Sequence, residues 1–361
     1  MFRPVRQGIY TEGRLHPFST PLDLLGFHAL PLGERLRLGM LTQRLLGQRD
    51  DLDSLSTEAW IRRYVGDRAY ESLFRPLVLA KFGCEGSEIA AAFVRGRLLA
   101  RGRSRGALRW FERLGYLDGG SALVAEELRK RLLGLEVPVL TSAEVERVER
   151  RAGDFLVTIR GSGGPRQIAA RFVVSSLPTP ILDRAASGFP EEFGLLLRQV
   201  DYRAVVVATV GLARSLSSNY WISVIDRALP FNALIEHTRL HDRGHYQGAH
   251  VLYIGAYLGT DHPLWSASDE DVMTCFRAGL ARGFPHFRGD DVLWWRVARD
   301  RYASPIFKVG YGATMSRLAG LVPGLHHAGT LRVYPDSRNV SSALRIGREV
   351  AETILEEASA R

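Results

Sequence analysis

From the N-terminus to about Arg113, apolar residues recur every three to four positions, the spacing of helices that bury one stripe. Ser56-Thr57 is placed to cap a helix carrying Trp60, Ile61, Tyr64 and Val65, and Asp67 to cap another carrying Tyr70, Phe74 and Leu77. Gly119-Gly120 then punctuates the chain, and Leu123, Val124, Leu128 and Leu132 follow at helical spacing with Ser121 in the capping position. Over residues 137–178 the period shortens to that of strands. VPVL, EVERVER and DFLVTIR are strand-like, Phe155, Val157 and Ile159 alternate, GSGGP supplies a turn, and RFVVSSLP reads as a buried strand. From Ile181 to Leu321, strands such as RAVVVATVGL and HVLYIGAYLG alternate with helical patches, including Asp269 to Arg282. The last 40 residues hold a strand-like LHHAG, a polar loop and a helix whose expected inner face is Val340, Ala343, Leu344, Gly347, Val350, Ala351, Ile354 and Leu355. With no internal repeat and no low-complexity linker, the pattern predicts a discontinuous first domain with a second inserted into it.

Composition narrows the class. The chain has 361 residues, 46% hydrophobic and 24% charged, enough for two domains with their own cores. Its 48 basic and 39 acidic residues leave +9, which favours an anionic partner without selecting one. Cys84 and Cys275 stand alone, giving neither a disulfide framework nor a thiolate metal site, as suits a reducing cytoplasm. The opening MFRPVRQGIYTEGR lacks the apolar core of a signal peptide. The longest apolar run, Ala204–Ala213, is half of the ~20 residues a spanning helix needs, and its content favours a buried strand. Arg95, Arg97, Arg101, Arg103, Arg105, Arg109 and Arg113, with Trp110 and Phe111 beside them, form a basic stretch that reads as a solvated helical face or as a peripheral contact with a membrane surface, here the inner membrane. No nucleic-acid motif accompanies it.

The stretch richest in chemistry is GLHHAGTLRVYPDSRNVSSALRIGREVA, residues 324–351: a strand ending at Ala328-Gly329, a loop, and a helix opening at Asn339-Val340. Such an opening offers free N–H groups and a positive dipole end to an electron-rich ligand, and Asn339 is a good N-cap. Gly347 would let that helix approach a sheet or ligand closely. A capped helix on a sheet would look the same.

This stretch resembles the closing strand and helix of the FAD-dependent amine oxidase and protoporphyrinogen oxidase-like superfamily, which also includes phytoene desaturases and UDP-galactopyranose mutases. Gly119-Gly120-Ser121 is similar to the turn before a helix in those proteins, Ala143-Glu144-Val145 to their adenine-side strand, and Val173 to Pro178 to their crossing strand. RLHPF, LFRPLVLAKFG, LPFNALIEHT and YASPIF resemble a bacterial branch of the same superfamily. The resemblance implies an α/β plus α+β fold. A partial FAD/NAD(P)-binding Rossmann-like domain would lack its first βαβ unit and carry an inserted mixed-sheet substrate domain and a helical lobe. The boundaries expected are 1–115 for the lobe and part of the substrate domain, 116–180 for part of the FAD domain, 181–321 for the substrate domain, and 322–361 for the closing strand and helix. It further implies FAD as cofactor, held by Val145, Pro178, Gly329, Thr330, Asn339 and Val340, and a small-molecule substrate.

Two departures stand out. Thr330 occupies a position where the family usually has an acidic residue after the Ala-Gly pair. The G-x-G-x-x-G turn that opens the family's first helix, and the acidic residue that follows it, are absent, so the chain is expected to be N-terminally truncated relative to the family. The nearest match, Gly310-Tyr311-Gly312-Ala313-Thr314-Met315, has Met315 at the third glycine and is expected to be a substrate-domain loop. Tyr311 in that loop, with Arg332 and Tyr334, is a candidate substrate contact.

Glu236 and His237 follow the strand-like FNALI and are candidate proton-handling groups, the alternative being a polar cluster capping a strand. His326 and His327 lie side by side on a strand, so they point to opposite faces and cannot chelate one metal. The expected function is that of a flavin-dependent oxidoreductase with an impaired dinucleotide site. The alternatives are a UDP-galactopyranose mutase-like flavoenzyme without net redox chemistry and a non-catalytic truncated remnant.

Overall fold

A computed structural model describes residues 2–44, 51–105 and 112–360, and the chain divides into two units, each made of two separated segments. Residues 1–116 and 202–309 form the first; residues 117–201 and 310–361 form the second. Arg109, Trp110 and Phe111 lie outside the described residues, as do the side chains of Arg103 and Arg105.

The first segment of unit 1 contains β1 (Phe2–Val5), β2 (Gln7–Thr11), β3 (Arg14–Pro17), α1 (Pro21–Leu25), α2 (Leu32–Arg44), α3 (Thr57–Tyr64), α4 (Asp67–Ala69), α5 (Arg75–Phe82), α6 (Ala91–Arg105) and β4 (Glu112–Gly115). The chain then builds α7 (Ala122–Gly134), β5 (Glu144–Arg151), β6 (Asp154–Gly161), β7 (Gly164–Ala170), β8 (Val173–Ser175), α8 (Thr179–Ala185), β9 (Ala186–Ser187) and α9 (Glu191–Arg198) in unit 2. It returns to unit 1 for β10 (Tyr202–Leu212), β11 (Trp221–Val224), β12 (Ala233–Glu236), β13 (His250–Leu258), α10 (Pro263–Ser266), α11 (Asp269–Gly283) and β14 (Val292–Pro305). It ends in unit 2 with α12 (Tyr311–Leu321), β15 (Leu325–His327) and α13 (Val340–Ser359).

Unit 1 is organised by a seven-stranded sheet in the order β14-β10-β13-β12-β11-β2-β3, antiparallel except where β11 runs parallel to β2. Along β10, Ala204, Val206, Ala208, Val210 and Leu212 are buried, as the apolar run predicts. They share a core with Val272, Met273, Phe276 and Leu280 of α11, whose N-cap Ser268 accepts a hydrogen bond from the Asp271 N–H. Ser56 caps α3 through the Ala59 N–H, as expected. Asp67 does not cap the next helix. The helix begins at Asp67 itself, and its Ala69 N–H is taken by the Glu34 carboxylate from another part of the chain. A Cβ on Gly66 would collide with that carboxylate, so glycine at this junction is sterically required. The basic helix α6 is not a solvated face: Arg95, Arg97 and Arg101 are half-buried, and desolvation holds the Arg97 guanidinium below its usual pKa range.

Unit 2 closes on a two-stranded parallel pair, β8 with β15, beside a four-stranded sheet β7-β6-β5-β9. Its core joins Val148 and Phe155 of that sheet to Leu182 of α8, Phe193, Leu196 and Leu197 of α9, Leu318 of α12 and Leu325 of β15. This core corrects two boundaries. Residues 181–201 and 310–321 were expected in the inserted domain but belong to unit 2, because α8, α9 and α12 bury their apolar stripes there.

Three further expectations change. VPVL forms no strand. Ser121 makes no capping hydrogen bond to α7. The buried stripe of α13 is Ser342, Ile346 and Val350 with Ile354 half-buried, while Leu344, Ala351 and Leu355 of the expected inner face are exposed. A Cβ on Gly347 would meet open space, so that glycine does not serve close packing. Among the described residues no helix is long and apolar enough to cross a membrane.

Candidate functional site

The candidate residues fall into two groups, one in each unit. In unit 2 the groups clustered around β15 and α13 are Tyr311, Gly329, Thr330, Arg332, Tyr334, Asn339 and Val340. Asn339 performs the predicted cap: its Oδ1 accepts from the Ser342 N–H at 2.8 Å, while Ser342 Oγ donates to the Ser337 carbonyl at 3.1 Å. Thr330 opens a 3-10 turn spanning Thr330–Val333, which leads from Gly329 toward the helix. Gly329 lies against the end of β8, where an added Cβ would sit 2.7 Å from the Ser176 carbonyl oxygen. Gly329→Ala is therefore expected to force the two strand ends apart and lower stability by about 1–3 kcal/mol, read as a lower urea midpoint.

Tyr311 and Tyr334 come together, ring centroids 5.1 Å apart, and the Tyr311 hydroxyl donates to the Leu331 carbonyl at 3.1 Å. Tyr311 is not in a loop: it is the first residue of α12, entered through the left-handed Gly310, and it belongs to unit 2. Arg332 is exposed, with Nη2 3.7 Å from Glu349 Oε2. Val145 half-buries its side chain on the unit 2 core from β5, and Pro178 precedes the first turn of α8.

His326 and His327 do face opposite ways. His326 lies 3.4 Å from Glu357 of α13, while the His327 ring stacks 6.3 Å from Phe193 of α9. His327 is 5% exposed and neither ring nitrogen has a hydrogen-bond partner. Burial first, then the positive charge of Arg332 and the neighbouring His326, pushes its pKa down to about 4.

Compared with what a flavin dinucleotide requires, the donor set is one-sided. The α13 opening supplies a capped helix N-terminus, suited to the electron-rich pyrimidine end. Two phosphate charges need a cradle of backbone N–H groups at a strand-to-helix turn. Among the described residues of unit 2, the glycine pair before a helix, Gly119-Gly120, leads into α7, which has no buried residue. The parallel strand β8 passes to α8 through Ser176-Leu177-Pro178, with no glycine. The residues present thus fit one end of FAD and do not fit its pyrophosphate.

In unit 1, Glu236 ends β12 and His237 begins a short 3-10 turn. Glu236 is 2% exposed; its carboxylate accepts from Ser215 Oγ at 2.6 Å and from the Ser217 N–H at 2.9 Å, with Arg239 Nε at 3.4 Å. It is committed to holding the 215–217 loop. His237 Nε2 lies 2.7 Å from the Tyr246 hydroxyl, which also lies 3.1 Å from His241 Nδ1. Tyr116 packs on both imidazoles with centroid separations of 4.8 Å. Burial first, then Tyr116, pushes Tyr246 up to about 12, and burial lowers His237. At neutral pH the Tyr246 hydroxyl keeps its single proton, so it donates to one imidazole and accepts from the other. Sequence inspection misses His241 and Tyr246, which follow His237 in the same short stretch without forming a recognisable motif, and Tyr116, which comes from a distant segment.

No family model and no curated protein matches the chain. Solved structures do. A protein assigned as a protoporphyrinogen oxidase from Exiguobacterium sp. 255-15 is 18% identical over 98% of this chain and 81% of its own, with a TM-score of 0.69. Putrescine oxidase bound to putrescine is 13% identical over 98% of this chain and 82% of its own, TM-score 0.67. Reduced UDP-galactopyranose mutase is 14% identical over 90% of this chain and 71% of its own, TM-score 0.64. With the order of elements found here, these matches show that the chain shares its fold with the Exiguobacterium protein, putrescine oxidase and UDP-galactopyranose mutase.

Proposed function

We propose that this chain belongs to a flavin-dependent oxidoreductase of the amine oxidase and protoporphyrinogen oxidase-like type, acting on a small molecule. The observation that carries the reading is the run β8, β15, Gly329, Asn339-capped α13 in unit 2, set in a fold shared over 98% of the chain with putrescine oxidase. When bound, the flavin would accept a hydride from a C–N or C–C bond. The chain's own contribution would be the N–H groups at the start of α13 toward the flavin. Arg332, Tyr311 and Tyr334 are the candidate substrate contacts in unit 2, and the His237–Tyr246 pair in unit 1 is the candidate for moving a proton.

Because the pyrophosphate cradle is missing from these residues, FAD added to the purified chain is expected to shift the amide resonances of Val340–Ser342 without giving a stoichiometrically coloured protein. A folded chain in which no α13 resonance moves would sink the reading. The match to UDP-galactopyranose mutase over 90% of the chain supports a second reading, a flavin reaction without net redox change. Turnover that needs reduced flavin and consumes no oxidant would favour it.

A further inference from the structure

Unit 1 gathers His237, His241, His245 and His250, four of the ten histidines of the chain, into one short stretch. Two 3-10 turns fold this stretch back on itself. The His241 N–H donates to the His237 carbonyl at 3.0 Å, and Asp242 then starts the turn Arg243–Tyr246 by accepting from the Gly244 N–H at 2.8 Å. The result sets the imidazoles of His241 and His245 side by side, ring centroids 4.3 Å apart and planes 32° apart, with a nitrogen of each within 4.8 Å of the other. His241 is half-buried and His245 exposed. Imidazole nitrogens suit Zn²⁺, Cu²⁺ and Ni²⁺. A zinc ion lies about 2.0–2.1 Å from each nitrogen and so bridges a pair up to about 4 Å apart. Rotation of the exposed His245 ring closes what remains, at little cost because nothing buried has to move.

A second observation concerns what stands behind His241. Its Nδ1 is 3.1 Å from the Tyr246 hydroxyl, which is 2.7 Å from Nε2 of the buried His237, and Tyr116 packs on both imidazoles. A hydroxyl that donates its single proton to His237 accepts from the His241 Nδ1–H, and the lone pair of His241 then sits on Nε2. An imidazole whose second nitrogen is fixed by a neighbouring oxygen is how proteins orient a metal-ligating histidine. The nearby cations do not oppose this. Arg239 is held by Ser215 Oγ and the Glu236 carboxylate, and Arg243 is exposed, where solvent and salt screen its charge. We propose that His241 and His245 form a site for a divalent transition ion, typified by Zn²⁺. Tyr246 orients His241 through Nδ1, and the remaining coordination positions are open to water or a carboxylate. Occupancy turns the Tyr246 proton toward His237, which couples the site to the His237–Tyr246 pair. The site does not depend on the flavin reading.

The test uses the 361-residue chain without a histidine tag and without FAD, titrated with Zn²⁺ in a calorimeter and followed by long-range ¹H–¹⁵N spectra of the imidazoles. Expected are one tightly bound ion per chain, a ¹⁵N shift at His241 Nε2 and at one His245 nitrogen, and a retained proton on His241 Nδ1. His245→Ala, at an exposed position, should leave the metal-free circular dichroism melt unchanged and weaken binding at least tenfold, and His241→Ala should do the same to binding. Tyr246→Phe keeps both ligands and the ring but removes the orienting oxygen, and should weaken binding by about tenfold with the stoichiometry unchanged. Should His241→Ala fold poorly, His241→Gln and the His245→Ala result still decide the matter. A parent chain that takes up no Zn²⁺, Cu²⁺ or Ni²⁺ overturns the site. So does Zn²⁺ bound with parent affinity by His245→Ala, or ¹⁵N shifts confined to other histidines such as His28 or His262. Parent affinity in Tyr246→Phe overturns the orienting role of the hydroxyl.

Discussion

Lowering the pH from 7 to 4 is expected to remove roughly 3 kcal/mol of stability through His327 alone. Its pKa is 6.5 in an exposed reference state and about 4 in the folded protein, a gap of 2.5 units at about 1.4 kcal/mol each. The sign follows from proton uptake. Between pH 6.5 and 4 the unfolded chain binds a proton that the folded chain refuses, so the contribution is complete above pH 6.5 and is lost as the pH falls through that window. The cause is structural: the ring stacks on Phe193, is 5% exposed, and has no partner for either nitrogen, so a charge there would be unsolvated. His327→Leu has nearly the same volume and no titratable group. Urea midpoints of the two proteins at pH 7, 5.5 and 4.5 should diverge in favour of the variant as the pH falls; parallel curves would show that His327 is solvated.

Replacing Glu236 with leucine should lower stability by about 3 kcal/mol at pH 7. Its carboxylate is 2% exposed and takes hydrogen bonds from the half-buried Ser215 Oγ and Ser217 N–H, with Arg239 beside it, so removing it takes the acceptor from both donors at once and puts an apolar group among polar ones. Glu236→Gln keeps one acceptor and should cost less than half as much. Denaturant unfolding gives the totals, and hydrogen exchange at the Ser217 amide locates the loss in the 215–217 loop. The comparison bears on function, because a side chain aimed at a reacting molecule is poorly satisfied at rest, and its removal leaves stability unchanged or raised. A neutral or stabilised leucine variant would return Glu236 to the candidate reacting groups; the expected loss leaves His237, hydrogen-bonded to Tyr246, as the remaining candidate of the two.

Where local chemistry dominates, the amino-acid sequence determined the outcome. Ser56 before α3, Ser268 before α11 and Asn339 before α13 each supply a short polar side chain one step ahead of a helix, and each accepts the hydrogen bond that position calls for. The apolar run from Ala204 favours a buried strand and forms one as far as Leu212, and the resemblance drawn from the strand-loop-helix at 324–351 agrees with the fold found in the solved structures. Tertiary structure decided the rest. The cap on the helix after Gly66 comes from Glu34, because the chain folds back on itself, and the expected cap Asp67 is left to pair with Arg62. Residues 181–201 and 310–321 join unit 2 because their helices share one core, a fact that periodicity cannot carry. The stripe chosen on α13, Ser342, Ile346 and Val350, loses by hydrophobicity to the stripe left exposed, since burial depends on which neighbour a helix meets. The packing of Tyr116 on the imidazoles of His237 and His241 likewise arises only once separate segments converge. Capping and strand alternation act over a few residues and are written in the sequence; which faces meet, and which remain open on α7, depends on contacts between segments far apart in the chain.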